Sequence, residues 1–123
     1  MKLIYIAGPF SGKTAWAVAC NVHRAEYLAA QVIERNCGWF PIVPHSLGAR
    51  FDGHGTYEYW LEGTLDLLRK CDAVLMVSGW ERSKGATGEK LEAERLGLPV
   101  YLSFDDWQRS VLPPAVAQTE MTI

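Results

Sequence analysis

Apolar residues fall into two kinds of run along the chain: short continuous blocks, and longer stretches spaced at helical intervals. Residues 3–7 form a continuous β-rich block that stops at Gly8-Pro9 and predict a fully buried strand. Over residues 14–35, Trp16, Ala19, Cys20, Ala25, Leu28, Ala29, Val32 and Ile33 mark one face, predicting a helix ended at Asn36-Cys37-Gly38. Residues 39–43 read as a second strand, placed at a sheet edge by Pro41 and Pro44. Residues 45–56, with Gly48, Gly53 and Gly55, predict a loop whose length points to function. A second helix is expected over 57–70, with Trp60, Leu61, Leu65, Leu67 and Leu68 inward. Asp72 introduces an apolar strand at 73–77; a polar loop over 78–85 then leads to a helix at 87–96 closed by Gly97. Residues 99–102 give a fourth strand, followed by a short amphipathic piece to Leu112. Residues 113–123 show no period and are set apart from the 1–112 domain as an irregular tail.

Short apolar strands alternating with helices imply a parallel sheet covered on both faces. The expected fold is α/β, a three-layer flavodoxin-like sandwich with four or five strands. Ligands of such sheets bind beyond the carboxyl ends of the strands. The loops starting at Gly8, His45 and Ser78 should therefore meet at one edge.

Composition narrows the function classes. At 123 residues the chain is one ordinary domain, and 49% hydrophobic with 21% charged residues suits a globular protein. Twelve basic against fourteen acidic residues leave a net charge of -2, which argues against a nucleic-acid polymer as partner. No apolar run approaches the ~20 residues of a membrane span, and the apolar start is too short for a signal peptide. Cys20, Cys37 and Cys71 form no CxxC pair and read as reduced, mostly buried thiols of a cytoplasmic protein.

Three segments could carry chemistry. Gly8-Pro9-Phe10-Ser11-Gly12-Lys13-Thr14 resembles a P-loop, but the position five before Gly12 is Ala7, so the required first glycine is missing. Such a turn before a helix can still receive one phosphate or hydroxyl group. In the second segment, Glu89 is expected in the first turn of a helix, where the macrodipole favours its ionised form. A carboxylate at this edge could act as a nucleophile, although acidic residues are favoured in any first turn. Ser83 and Lys84 nearby could hold an anion. The third segment holds His45, Arg50, Asp52 and His54, whose spacing fits no common metal site. Trp60, Trp80, Phe10 and Tyr5 are packing residues by default, though Trp80 sits in a loop where it could stack on a base.

Taken together, Tyr5-Ile6-Ala7-Gly8-Pro9-Phe10, Asn21 with Arg24-Ala25-Glu26, Pro41-Ile42-Val43-Pro44-His45 and Trp60-Leu61-Glu62-Gly63-Thr64-Leu65 resemble one family. Cys71-Asp72-Ala73-Val74, Gly79-Trp80-Glu81-Arg82-Ser83, Gly85 through Glu89 and Leu96-Gly97-Leu98-Pro99-Val100 continue the likeness over residues 2–104. The family is the bacterial and phage group described as nucleoside 2-deoxyribosyltransferase-like. Its wider superfamily includes those transferases and the 2'-deoxynucleoside 5'-monophosphate N-hydrolases. The resemblance implies a nucleophilic glutamate at Glu89, in a G-x-G-[YM]-E pattern that here has Thr87 for its second glycine. It implies that Tyr5 orients Glu89, and that Ser83 marks a phosphate-contacting position. Where the superfamily has a sugar-contacting aspartate, this chain has Thr64, and Asp66 points to another face of the helix.

The activity so implied is cleavage of an N-glycosidic bond, by hydrolysis or base transfer, in a nucleoside 5'-monophosphate or related nucleotide, with Glu89 as nucleophile. Ser83, with the turn of Gly8, Pro9, Phe10, Ser11 and Gly12, would hold the 5'-phosphate. Trp80 or Phe10 would stack on the base, His45 would contact base or phosphate at the pocket rim, and Gly85 is a further substrate-binding position. No metal or organic cofactor is required, and a homodimer or larger homo-oligomer is expected. The alternative is a protein that binds or senses a nucleotide on the same fold without cleaving it.

Overall fold

The computed structural model of the chain describes residues 1–51 and 53–111. Asp52, Leu112 and the tail expected over 113–123 lie outside the described residues. Four strands, β1 (Lys2–Ala7), β2 (Trp39–Ile42), β3 (Ala73–Met76) and β4 (Val100–Tyr101), form one parallel sheet in the order β2-β1-β3-β4. Five helices accompany them: α1 (Ala15–Arg35), α2 (Pro44–Gly48), α3 (Tyr57–Arg69), α4 (Lys84–Arg95) and α5 (Phe104–Val111). This is the expected α/β sandwich, with four strands among the described residues and β2 at an edge. No described helix is long and apolar enough to cross a membrane.

Alternation along β1 decides what each side chain meets. Ile4 and Ile6 pack with Ala25, Ala29, Val32 and Trp107 in the core under α1 and α5. Tyr5 and Ala7 point the other way, into the core with Leu68, Val74, Met76, Ala86 and Ala93 under α3 and α4. A tyrosine in mid-strand is thereby aimed at α4.

Three sequence expectations need correction. In α1, Trp16, Ala19, Cys20 and Ile33 are exposed; the inward stripe runs through Ala25, Ala29 and Val32. Trp16 precedes Ala25 by about two and a half turns and so points to the opposite side. Residues 45–48 are not loop, because Pro44 starts the short helix α2 with its fixed φ and missing N–H. Finally, α4 begins at Lys84 rather than Thr87. The Ser83 hydroxyl accepts the Ala86 N–H at 3.1 Å, a cap that outweighs the two early glycines.

Candidate functional site

At the carboxyl edge of β1 the chain must turn in very little space. A Cβ on Gly8 would lie 2.5 Å from the Cβ of Val77, so only glycine lets β1 and the end of β3 run side by side here. The loop after β1, helix α2, the loop that follows it, the start of α3 and the start of α4 then enclose a cavity of about 540 Å³. Gly8, Pro9, Phe10, Ser11, His45, Ser83, Gly85 and Glu89 all line it.

Glu89 is 8% exposed, and the Tyr5 hydroxyl, fully buried, donates a hydrogen bond to its Oε2. With Lys84 as the first residue of α4, Glu89 falls in the second turn, beyond the strong reach of the macrodipole. The electrostatic expectation therefore reverses. Burial pushes the Glu89 carboxyl up to about 7, and the Tyr5 bond only partly opposes it. Burial, with the Glu89 charge beside it, drives the Tyr5 phenol far above its ordinary range, so Tyr5 stays a donor. Thr64 lines the cavity and its hydroxyl neighbours that of Tyr5, while Asp66 is engaged outside with Arg69 at 2.6 Å.

His45 is 4% exposed, and its Nε2 faces the Gly8 carbonyl oxygen at 3.0 Å. Burial holds it below the ordinary histidine range, although the Gly8 bond opposes this. A neutral ring donating through Nε2 leaves Nδ1 as an acceptor, and Nδ1 has no partner among the described residues.

Two expected residues are elsewhere. Gly12 does not line the cavity; it packs on the first turn of α1, where a Cβ would lie 2.7 Å from that of Ala17. Trp80 lines a different cavity, with Lys90 Nζ 5.4 Å from its ring centroid. The reason is local: Gly79, at φ 93°, starts a 3-10 turn (Trp80–Arg82) that turns the indole away and brings Arg82 and Ser83 to the Glu89 side. The aromatic walls are instead Phe10, Phe51, Tyr57 and Trp60. Phe51 and Trp60 stack at 6.3 Å, and the indole N–H donates to the His54 carbonyl at 2.6 Å. Trp60 reads in sequence as ordinary helix packing; its place one turn after a glycine-rich loop is the signal that it serves the site. Among the described residues no group of three His, Cys, Asp or Glu side chains gathers at metal-ligand spacing.

Comparison with known proteins adds one finding. No curated protein and no solved structure matches the chain. Residues 2–102, which include β1 through β4 and every side chain of the Glu89 cavity, match DUF4406, a domain of unknown function, and the chain belongs to that family.

Proposed function

We propose that the protein cleaves the N-glycosidic bond of a nucleotide, with Glu89 as nucleophile. The observation that carries this reading is Glu89 on the wall of a cavity of about 540 Å³ at the ligand edge of a parallel sheet, held from behind by the buried Tyr5 hydroxyl. The motif resemblance to nucleoside 2-deoxyribosyltransferase-like proteins supports the same assignment.

The ionised Glu89 carboxylate attacks C1' of the sugar from the face opposite the base. The C1'–N bond breaks, its electron pair leaves with the base, and the base takes a proton from solvent, which is returned when water loses a proton on adding at C1'. Water then adds at C1' and releases the carboxylate, or a second base replaces water and the outcome is transfer. Tyr5 fixes the carboxylate rotamer by its hydrogen bond. Ser83, Lys84 and Arg82, all on the cavity wall, suit the phosphate end of the substrate. Phe51, Trp60 and Phe10 offer apolar surface to the base. His45 also lines this wall, and its buried Nδ1 is an acceptor without a partner among the described residues.

Incubation with deoxy- and ribonucleoside 5'-monophosphates and their parent nucleosides, followed by chromatography for free base, tests the reading. Release from one member, lost in Glu89→Ala, is the expected result. Binding of a nucleotide by thermal shift with no base released from any member would replace the enzyme by a nucleotide sensor.

A further inference from the structure

A second cavity, of about 740 Å³, opens at the same end of the sheet but beside α1, with Tyr27, Gln31, Ser78, Trp80 and Phe104 in its wall. Gly79, just beyond β3, lies in this wall, and three residues on Arg82 lines the Glu89 cavity. A Cβ on Gly79 would stand 3.3 Å from Arg82 Nη2 and 3.9 Å from Arg24 Nη1, so two guanidinium groups flank this one backbone position. Arg82 belongs to the wall of the first cavity and Arg24 to that of the second.

Neither arginine has a carboxylate within ion-pair distance among the described residues, whereas Arg69, Arg95 and Arg109 each hold one. Arg24 is aimed rather than loose. Its Nη2 donates to Asn21 Oδ1 at 2.8 Å, and Asn21 is in turn anchored on the carbonyls of Phe10 and Ser11. Glu81 shares the second cavity without pairing with either arginine. Two neighbouring guanidinium groups that pair with no carboxylate among the described residues favour an oxyanion with several acceptor oxygens. Their position matters too: strand order reverses between β1 and β3, and two-part ligands of parallel sheets lie across such a reversal.

We propose that Arg24 and Arg82 bind a pyrophosphate, and that the ligand is a pyrophosphate-linked dinucleotide spanning both cavities. One nucleoside lies against Glu89 and the other in the second cavity, beside Tyr27 and Phe104. The first half rests on the glycosidase reading; the pyrophosphate subsite does not.

Calorimetric titration of the full chain in a Glu89→Gln background, which prevents turnover, tests this. The probes are the symmetrical 5'-5' pyrophosphate-linked dinucleotides of adenine, guanine, cytosine and uracil, each against its nucleoside 5'-monophosphate. At least one dinucleotide should bind tenfold or more tightly than its monophosphate. Arg24→Gln and Arg82→Gln should each remove most of that preference, and Lys70→Gln, at the far end of α3, should not. Equal affinities, no binding by any dinucleotide, or a preference untouched by both arginine variants would overturn the proposal. Base release from a monophosphate without a dinucleotide preference would discard this subsite and keep the glycosidase. A dinucleotide preference with no base release from mono- or dinucleotide in the native protein would do the reverse.

Discussion

A carboxyl group that is 8% exposed and has one hydrogen-bond donor is poorly solvated as an anion, and Glu89 accordingly holds its proton up to about 7. Because the folded state binds this proton more tightly than the unfolded chain, the stabilisation is complete below about 4.5 and is lost as pH rises through about 7. The loss is on the order of 3 kcal/mol at most. Urea unfolding at pH 5 and pH 8 should show that decline, and Glu89→Gln should flatten it. On the proposed reading the same titration governs chemistry: base release should rise through about pH 7, since only the ionised form is a nucleophile. Tyr5→Phe removes the one interaction that lowers this group, so its acid limb should move to higher pH and the rate should fall, with the fold's circular dichroism retained. At this scale the identities of Glu89 and Tyr5 are legible from motif spacing and strand parity. The charge state of Glu89 is not, because it depends on how α4 closes over β1 and buries the carboxyl.

Among the elements, α4 ties stability to recognition through Ser83, which caps the helix and also lines the cavity. Ser83→Ala should cost about 1 kcal/mol of stability and weaken binding of the phosphorylated ligand. Thr14→Ala, which removes the equivalent cap of α1 at 3.0 Å, should cost a similar amount and leave ligand affinity unchanged. Comparing the two by thermal melts and titration separates the roles. Gly8→Ala forces a methyl group into the side chain of Val77 and should cost about 1–3 kcal/mol while distorting the loop that follows. The strands and long helices are readable from apolar periodicity, since each buries a continuous face. The starts of α2 and α4 escape it: a proline and two glycines look like breaks until caps and tertiary packing are counted.

For the whole molecule, the parallel sheet with its β2-β1-β3-β4 order brings the loops after β1, β2 and β3 to one edge, as alternation of strands and helices implies. Alternation cannot say which side of the sheet a loop residue serves. Trp80 illustrates this: one positive φ at Gly79 sends it to a different cavity from Ser83, three residues later. Covalent catalysis by Glu89 is the central claim, and peptide mass mapping after incubation with a 2'-fluoro-2'-deoxyarabino analogue of the nucleotide whose base is released tests it most directly. The fluorine slows the second displacement more than the first, so a glycosyl ester should accumulate. The account predicts an added glycosyl phosphate on the peptide that holds Glu89, absent in Glu89→Gln. Rapid base release from the native nucleotide, with the analogue leaving every peptide unmodified or labelling another residue, would contradict it.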